Sequence, residues 1–433
     1  MKIVSLLFLV VILSCNQKKE STTDLDSLAE KYVRLGLDIG QYDADFVDAY
    51  YGPDSLKPAG AKLNIFLKDS FLSVVNDLSS NVQKIIDEEK NDTIISRAKW
   101  MLGQLKAFGR RIKIFSGEFG NFDEESQDLF GVKAPVYTEE HYKDLVAELD
   151  SILPGKGDIS ARYQQLMNRF IIPKNKLDTV FKTAIAEARR RTIEHYPLPD
   201  GENFSLEFVN NKPWTGYNWY KGNYQSLIQI NTDLPLYFER AIDLACHEGY
   251  PGHHVYNMLL EKKLYYERHW VEISLYPLFS PQSLIAEGSA NYGKEVAFPG
   301  NERNEYVKNV LLPLAGLDTA GTDLYFKAID LAGELNFARN EVGRGIINNT
   351  MDSVTAKKWL ITYGMLSEGS AIKSISFIKK YRSYIINYNY GLQLVRNYIE
   401  SNGGTASNPA KRWELFGKLL SNPITPADLL ANQ

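Results

Sequence analysis

Cysteine is nearly absent: only Cys15 and Cys246 occur in 433 residues. An internal disulfide framework is therefore not expected, and stability has to come from a hydrophobic core. A basic excess is also lacking. The 49 Lys and Arg stand against 53 Asp and Glu, a formal charge of −4, which removes the electrostatic case for a nucleic-acid partner. The apolar run at residues 3–13 is too short for a bilayer-spanning helix, which needs about 20 residues. No period of roughly 20–50 residues recurs, which argues against a solenoid. Histidine is scarce, six in all, so its placement is informative.

What is present begins with a secretory pattern: Met1-Lys2, the short apolar run, then Ser14-Cys15. A charged start, an apolar centre and a small residue before the processing point predict a signal peptide over residues 1–14. The form Ile12-Leu13-Ser14-Cys15 resembles the lipobox of bacterial lipoproteins, which implies that Cys15 is lipidated after cleavage. Membrane association would then come through the lipid alone. The resemblance implies an exported protein, facing the periplasm or the cell surface, and Asn16 offers no inner-membrane retention signal, which favours the outer membrane. Residues 16–26 are polar and turn-forming and cannot bury apolar area, so 15–26 is expected to be a lipidated tether. Removing the first 14 residues of 433 leaves 419, enough for one or two cores.

From Leu25 onward apolar residues recur at helical spacing, as in Ile94, Ala98, Met101, Leu102, Leu105 and Phe108, and the fold class predicted is mainly α. Breakers near Gly52-Pro53, at Leu153-Pro154-Gly155 and over 197–201 cut the N-terminal half into roughly five helical segments. Residues 204–208 and 226–231 are β-favouring, with an aromatic loop (Trp214, Tyr217, Trp219, Tyr220, Tyr224) between them. They predict a small hairpin or sheet just before the key helix. Those aromatics read as loop packing ahead of substrate contact. Residues 27–200 form an expected N-terminal helical region and 201–433 a metal-binding catalytic region, in one continuous fold. The Gly/Ser/Asn-rich stretch 401–408 is a loop before a last short helix.

Three of the six histidines fall in His247-Glu248-Gly249-Tyr250-Pro251-Gly252-His253-His254, after a helical run at 236–246. His-Glu-x-x-His places two imidazoles on one helical face, where both reach one zinc ion and the adjacent Glu acts as base. Here position i+4 is Pro251. In an unbroken helix i+6 lies about 240° round the axis, and i+7 lies about 10.5 Å along it. Pro251 removes a backbone hydrogen bond and Gly252 permits unusual backbone angles, so a two-residue bulge after Tyr250 is expected to bring His253 to the usual i+4 place. The competing reading has Pro251 begin a second helix, with His254 as the ligand. Cys246 points away from His247 and reads as a core thiol.

The pattern resembles a bacterial family labelled "domain of unknown function 885", whose hallmark is HExxPGHH and whose members look like helical gluzincins. Ala286-Glu287-Gly288-Ser289-Ala290-Asn291-Tyr292-Gly293-Lys294-Glu295 matches its second segment. The resemblance implies Glu287 as third ligand beside His247 and His253. One Zn2+ with two His and one Glu is also a standard catalytic set with an open fourth position. Glu295 is the fallback ligand or a supporting partner. Glu248 is the expected base. For the oxyanion donor the family offers an Arg-Tyr and a later Tyr-x-x-Gly, whose nearest counterparts are Arg382, Tyr384, Tyr388 and Gly391. The Pro-Gly-Gln between them is absent, and Gly343-Arg344-Gly345 stands where the family has a His-bearing segment. Tyr388 is the first choice of donor and His254 the second. The strand 226–231, through Ser226, Ile228 and Ile230, is expected to lie at the cleft edge and align an extended peptide. The leading function is an exported zinc peptidase. The alternatives are a zinc amidohydrolase acting on another amide such as a cell-wall fragment, or a lipoprotein that binds zinc or peptide without turnover.

Overall fold

The computed structural model describes residues 24–60 and 62–431. The signal peptide, Cys15 and most of the tether lie outside them. The first helix already begins at Asp24 and buries Leu25, so the last three residues assigned to the tether belong to the folded body.

The chain is mainly helical with two small sheets, as its periodicity predicts. Before residue 200 it forms helices α1 (Asp24–Gly40), α2 (Lys68–Glu88), α3 (Asp92–Phe115), α4 (Phe122–Phe130), α5 (Glu139–Ile152), α6 (Ile159–Asn168) and α7 (Leu177–Ile193), with strand β1 (Val47–Tyr50) after α1. There are seven helices here among the described residues rather than five. Two of the extra breaks, at 89–91 and 116–121, carry no proline. Asn91 starts α3 by accepting from the Thr93 amide at 2.9 Å. Asn121 starts α4 through a reciprocal capping box with Glu124. Each such cap is worth about 1 kcal/mol.

Strands β2 (Asn203–Val209), β3 (Gly216–Gly222) and β4 (Gln225–Asn231) follow. They form one sheet in the order β2-β4-β3, with β2 parallel and β3 antiparallel to β4. This corrects the sequence expectation twice. The aromatic "loop" is largely a strand, β3, and the hairpin is β3–β4. Asn223 and Tyr224 close it with φ of 52° and 60°, the positive values that a two-residue hairpin turn requires. The other correction concerns β4: it is the central strand, with partners on both sides, so it cannot capture a peptide at an edge.

The remaining elements are α8 (Phe238–Leu244), α9 (His253–Leu260), β5 (Leu275–Pro277), α10 (Pro281–Ala297), α11 (Glu302–Tyr306), α12 (Leu312–Ala315), α13 (Thr322–Glu334), α14 (Ala338–Ile347), α15 (Ser353–Tyr363), α16 (Glu368–Tyr381), α17 (Ile386–Ser401), α18 (Pro409–Leu420) and α19 (Pro426–Leu430). The N- and C-terminal halves share one core, and β1 pairs antiparallel with β5 across them. Residues 402–408 are the expected loop before α18. No described helix is long and apolar enough to cross a membrane.

Helix α10 is buried on nearly every side, as a helix at the centre of a fold must be. Its small residues let α17 approach closely: a Cβ on Gly288 would come within 2.4 Å of the Gly391 carbonyl oxygen. The spacing of Ala286-Glu287-Gly288 and of Tyr388-x-x-Gly391 thus acquires a packing reason. The two glycines meet backbone to backbone, which sets Glu287 and Tyr388 on facing helices.

Candidate metal centre

The site is assembled where α8 ends. Phe238, Ala241, Ile242 and Leu244 anchor that helix in the core, and it widens into a π-helical turn, Ala245–Gly249, that carries His247 and Glu248. The Asn218 side-chain amide on β3 donates to the freed Glu248 carbonyl at 2.7 Å. Tyr250 is extended, with φ −118° and ψ 119°, and α9 restarts with His253 as its first residue. The expected bulge inside one continuous helix is therefore not what forms. The chain leaves the helix for three residues and folds back. Gly252 makes this possible, because a Cβ there would lie 2.0 Å from the His247 carbonyl oxygen and 2.3 Å from that of Cys246. A second helix does begin after Pro251, yet His253, not His254, meets His247.

The Nε2 atoms of His247 and His253 are 3.1 Å apart. Glu287 Oε2 lies 3.2 Å from the first and 3.6 Å from the second. Ligands about 2.0–2.1 Å from a tetrahedral zinc would be about 3.3 Å from one another, and the three distances bracket that value. Glu287 Oε2 is buried and has no hydrogen-bond partner, while Tyr384 donates to Oε1 at 2.9 Å. His247 Nδ1 is 3.0 Å from Asn291 Oδ1. The Asn291 amide nitrogen donates to the Tyr388 carbonyl at 2.8 Å, which leaves Oδ1 as acceptor. That network assigns the His247 proton to Nδ1 and presents Nε2 bare. Two imidazole nitrogens and one carboxylate oxygen, with an unsatisfied buried oxygen among them, fit a zinc ion.

Glu248 is buried beside this trio, its Oε1 4.0 Å from His247 Nε2. Burial pushes its carboxyl above the ordinary range, and His247 and His253, when protonated, pull the other way. Gly216 of β3 makes room for it: a Cβ there would come within 2.7 Å of Glu248 Oε1. For Glu287, the cost of burial is outweighed by His247 and His253 in their protonated forms, which hold it well below the usual carboxylate range. The trio and Glu248, with Tyr388, line one cavity of about 520 Å³. Asp48 of β1 also lines it and accepts from the Tyr217 hydroxyl. Burial raises Asp48 to about 6, against the lowering effects of Tyr217 and His253.

Other sequence candidates fall elsewhere. His254 is fully buried, with Nδ1 2.8 Å from Ser226 Oγ and Nε2 3.1 Å from Glu202 Oε1. Both its nitrogens are engaged outside the cavity, so it is not an oxyanion donor. Ser226, Ile228 and Ile230 are buried within the central strand and do not line this cavity; the edge strand bordering it is β3, through Gly216, Tyr217 and Asn218. Glu295 pairs with Arg396 at 2.5 Å, and Arg382 with the buried Glu125 at 2.7 Å. Arg344, between Gly343 and Gly345, pairs with Asp123 and Glu341. Cys246 is a buried thiol. Of the aromatics, Trp214 and Tyr217 line the cavity, whereas Trp219 bonds Gln229 and Tyr220 bonds Glu261.

Sequence reasoning missed Asn291, Asn218, Gly216 and Asp48. Asn291 carried a usable signal, standing one turn after Glu287 on the same face. The others come from strands distant in sequence, and no local pattern points to them.

No family model and no curated protein matches this chain. Among solved structures it is similar to the "putative lipoprotein from Colwellia psychrerythraea", at a TM-score of 0.51 and 14% identity, over 84% of this chain. The chain spans 65% of that protein's length, just under two thirds. A likeness at that identity speaks for the fold alone.

Proposed function

We propose that this chain is a zinc-dependent peptidase of the helical gluzincin kind, related to the family that its HExxPGHH and Ala-Glu-Gly-x-Ala segments resemble. The observation that carries the reading is the convergence of His247, His253 and the unsatisfied Glu287 oxygen within 3.1–3.6 Å of one another, next to a buried glutamate. Zinc held by these three would supply Lewis acidity to water and to a substrate carbonyl. Glu248 takes the proton of the attacking water and returns it to the leaving nitrogen; its raised affinity for protons makes it a better base than a free carboxylate. Tyr388 is the donor for the developing oxyanion. Burial and the charges of Glu287 and Glu248 keep its phenol protonated. Edge strand β3, not β4, is the strand against which an extended peptide lies. The lipobox resemblance and the lipoprotein neighbour support an exported protein held at a membrane by a lipid on Cys15.

Metal analysis of the purified protein, with a broad peptide-library digest before and after chelation, tests the reading. Cleavage abolished by chelator and restored by zinc is the expected result. Bound zinc without peptide cleavage would move the assignment to another amide, such as a cell-wall fragment, or to a binding protein.

A further inference from the structure

Four cationic side chains line the cavity: Arg240, Lys294, Arg339 and Lys373. Three are neutralised. Arg240 and Lys294 each lie 3.1 Å from Asp243, and Lys373 lies 2.9 Å from Asp233. Arg339, at the start of α14, is the exception. Among the described residues it forms no ion pair, and its one recorded hydrogen bond runs from Nε to Ser374 Oγ at 3.2 Å. A guanidinium carries five N–H donors in a rigid fork that matches a carboxylate, so most of its donors remain for something else.

The surroundings do not favour a bare cation there. Burial pulls Arg339 below its ordinary pKa, and the like charge of Arg240 adds to this, against the influence of Tyr388. A partly buried charge on the wall of a cavity loses solvation, and without a partner nothing replaces it. Its retention in the wall of the cavity that holds Glu248 and the three ligands is accounted for when the partner arrives with the ligand. Arg339 lines the same cavity as Glu248, Tyr388 and the three candidate ligands, so one bound substrate can meet both the guanidinium and the reacting centre.

We propose that Arg339 anchors a carboxylate carried by the substrate, either the free C-terminus of a short peptide or an acidic side chain beside the scissile bond. This rests on the peptidase reading for its consequence, since a C-terminal anchor would make the enzyme an exopeptidase. The anchoring itself is a binding property and can be measured without turnover.

Three acetylated tripeptides test it: a neutral one as the free acid, the same one as the C-terminal amide, and an amide ending in Glu. Affinities are measured by calorimetry on zinc-loaded and on chelator-treated protein. At least one carboxylate-bearing peptide should bind about 10- to 100-fold tighter than the neutral amide, the range of a charge-assisted contact. Which one does so identifies the source. Arg339→Met should erase the difference and Arg339→Lys should keep part of it. Equal affinities for all three peptides, or a difference that survives in Arg339→Met, would overturn the proposal. Should Arg339→Met fail to fold, Arg339→Gln takes its place, and equal affinities in the parent protein overturn the anchor without any variant. Discrimination without cleavage would end the peptidase reading and leave the anchor standing; cleavage without discrimination would do the reverse.

Discussion

His253 and His254 are adjacent in sequence and both face a glutamate, yet they belong to opposite kinds of site. Behind α9, His254 bonds Ser226 and Glu202, and Glu202 also receives Arg189 at 2.9 Å and the Tyr250 hydroxyl. Each of those groups has a protein partner. In front of α9, His253 points its Nε2 at another imidazole nitrogen and at a carboxylate oxygen with no hydrogen bond of its own. Buried polar atoms are normally satisfied. The first cluster is satisfied as folded, whereas the second leaves a buried carboxylate oxygen unsatisfied, as the proposed metal site requires.

The largest effect that would sharpen this contrast separates chemistry from scaffold. Glu248→Gln should lower turnover by about 10²–10⁴-fold while zinc content, read by mass spectrometry, stays at one per chain; zinc lost together with activity would make Glu248 structural. The two histidines come next. His253→Ala should cut zinc affinity by more than about a hundredfold, beyond what loss of a supporting partner costs. His254→Ala should keep zinc and lose about 3 kcal/mol in urea unfolding, because the Glu202 charge loses a buried partner. The reverse ranking would dissolve the comparison.

A smaller effect probes the support of the cradle. Asn291→Ala frees the His247 ring and should weaken zinc binding by about 10–100-fold in a competitive chelator titration, with little change in unfolding. The smallest concerns pH. Burial would raise Glu202, but His254, Tyr250 and Arg189 hold it at about 2, against its ordinary 4.5. A depressed carboxylate contributes stability that is present above the ordinary value and is lost as pH falls through the folded one. The stability gap between the parent protein and Glu202→Gln should therefore be wide at pH 7 and close as pH falls from 4.5 toward 2. A gap that is constant over that range would mean that Glu202 acts by packing alone.

Much of this was legible in sequence. The helical class follows from apolar spacing, and two short segments, the second through its family resemblance, pointed to the three side chains that meet at the candidate site. What escaped was set by long-range pairing. The central position of β4 depends on β2 and β3 flanking it, and a period-two pattern cannot tell a central strand from an edge. The turn at Asn223-Tyr224 lacks the glycine that marks most tight hairpins, so β3 reads as a loop. The fold-back at Gly252 was misjudged as a bulge because a Pro-Gly pair announces a break without its direction. Arg339 has no motif at all, and its isolation is visible only once its neighbours are found paired with other groups.

The backbone contact between Gly288 and Gly391 also bears on when the proposed zinc site could form. During synthesis the chain emerges N-terminus first, and His247, His253 and Glu287 are all present by residue 287. The helix that presses α10 into place, however, arrives about a hundred residues later. A nascent chain thus owns the donors before it owns the clamp, and under the zinc proposal tight metal capture would wait for a nearly finished polypeptide.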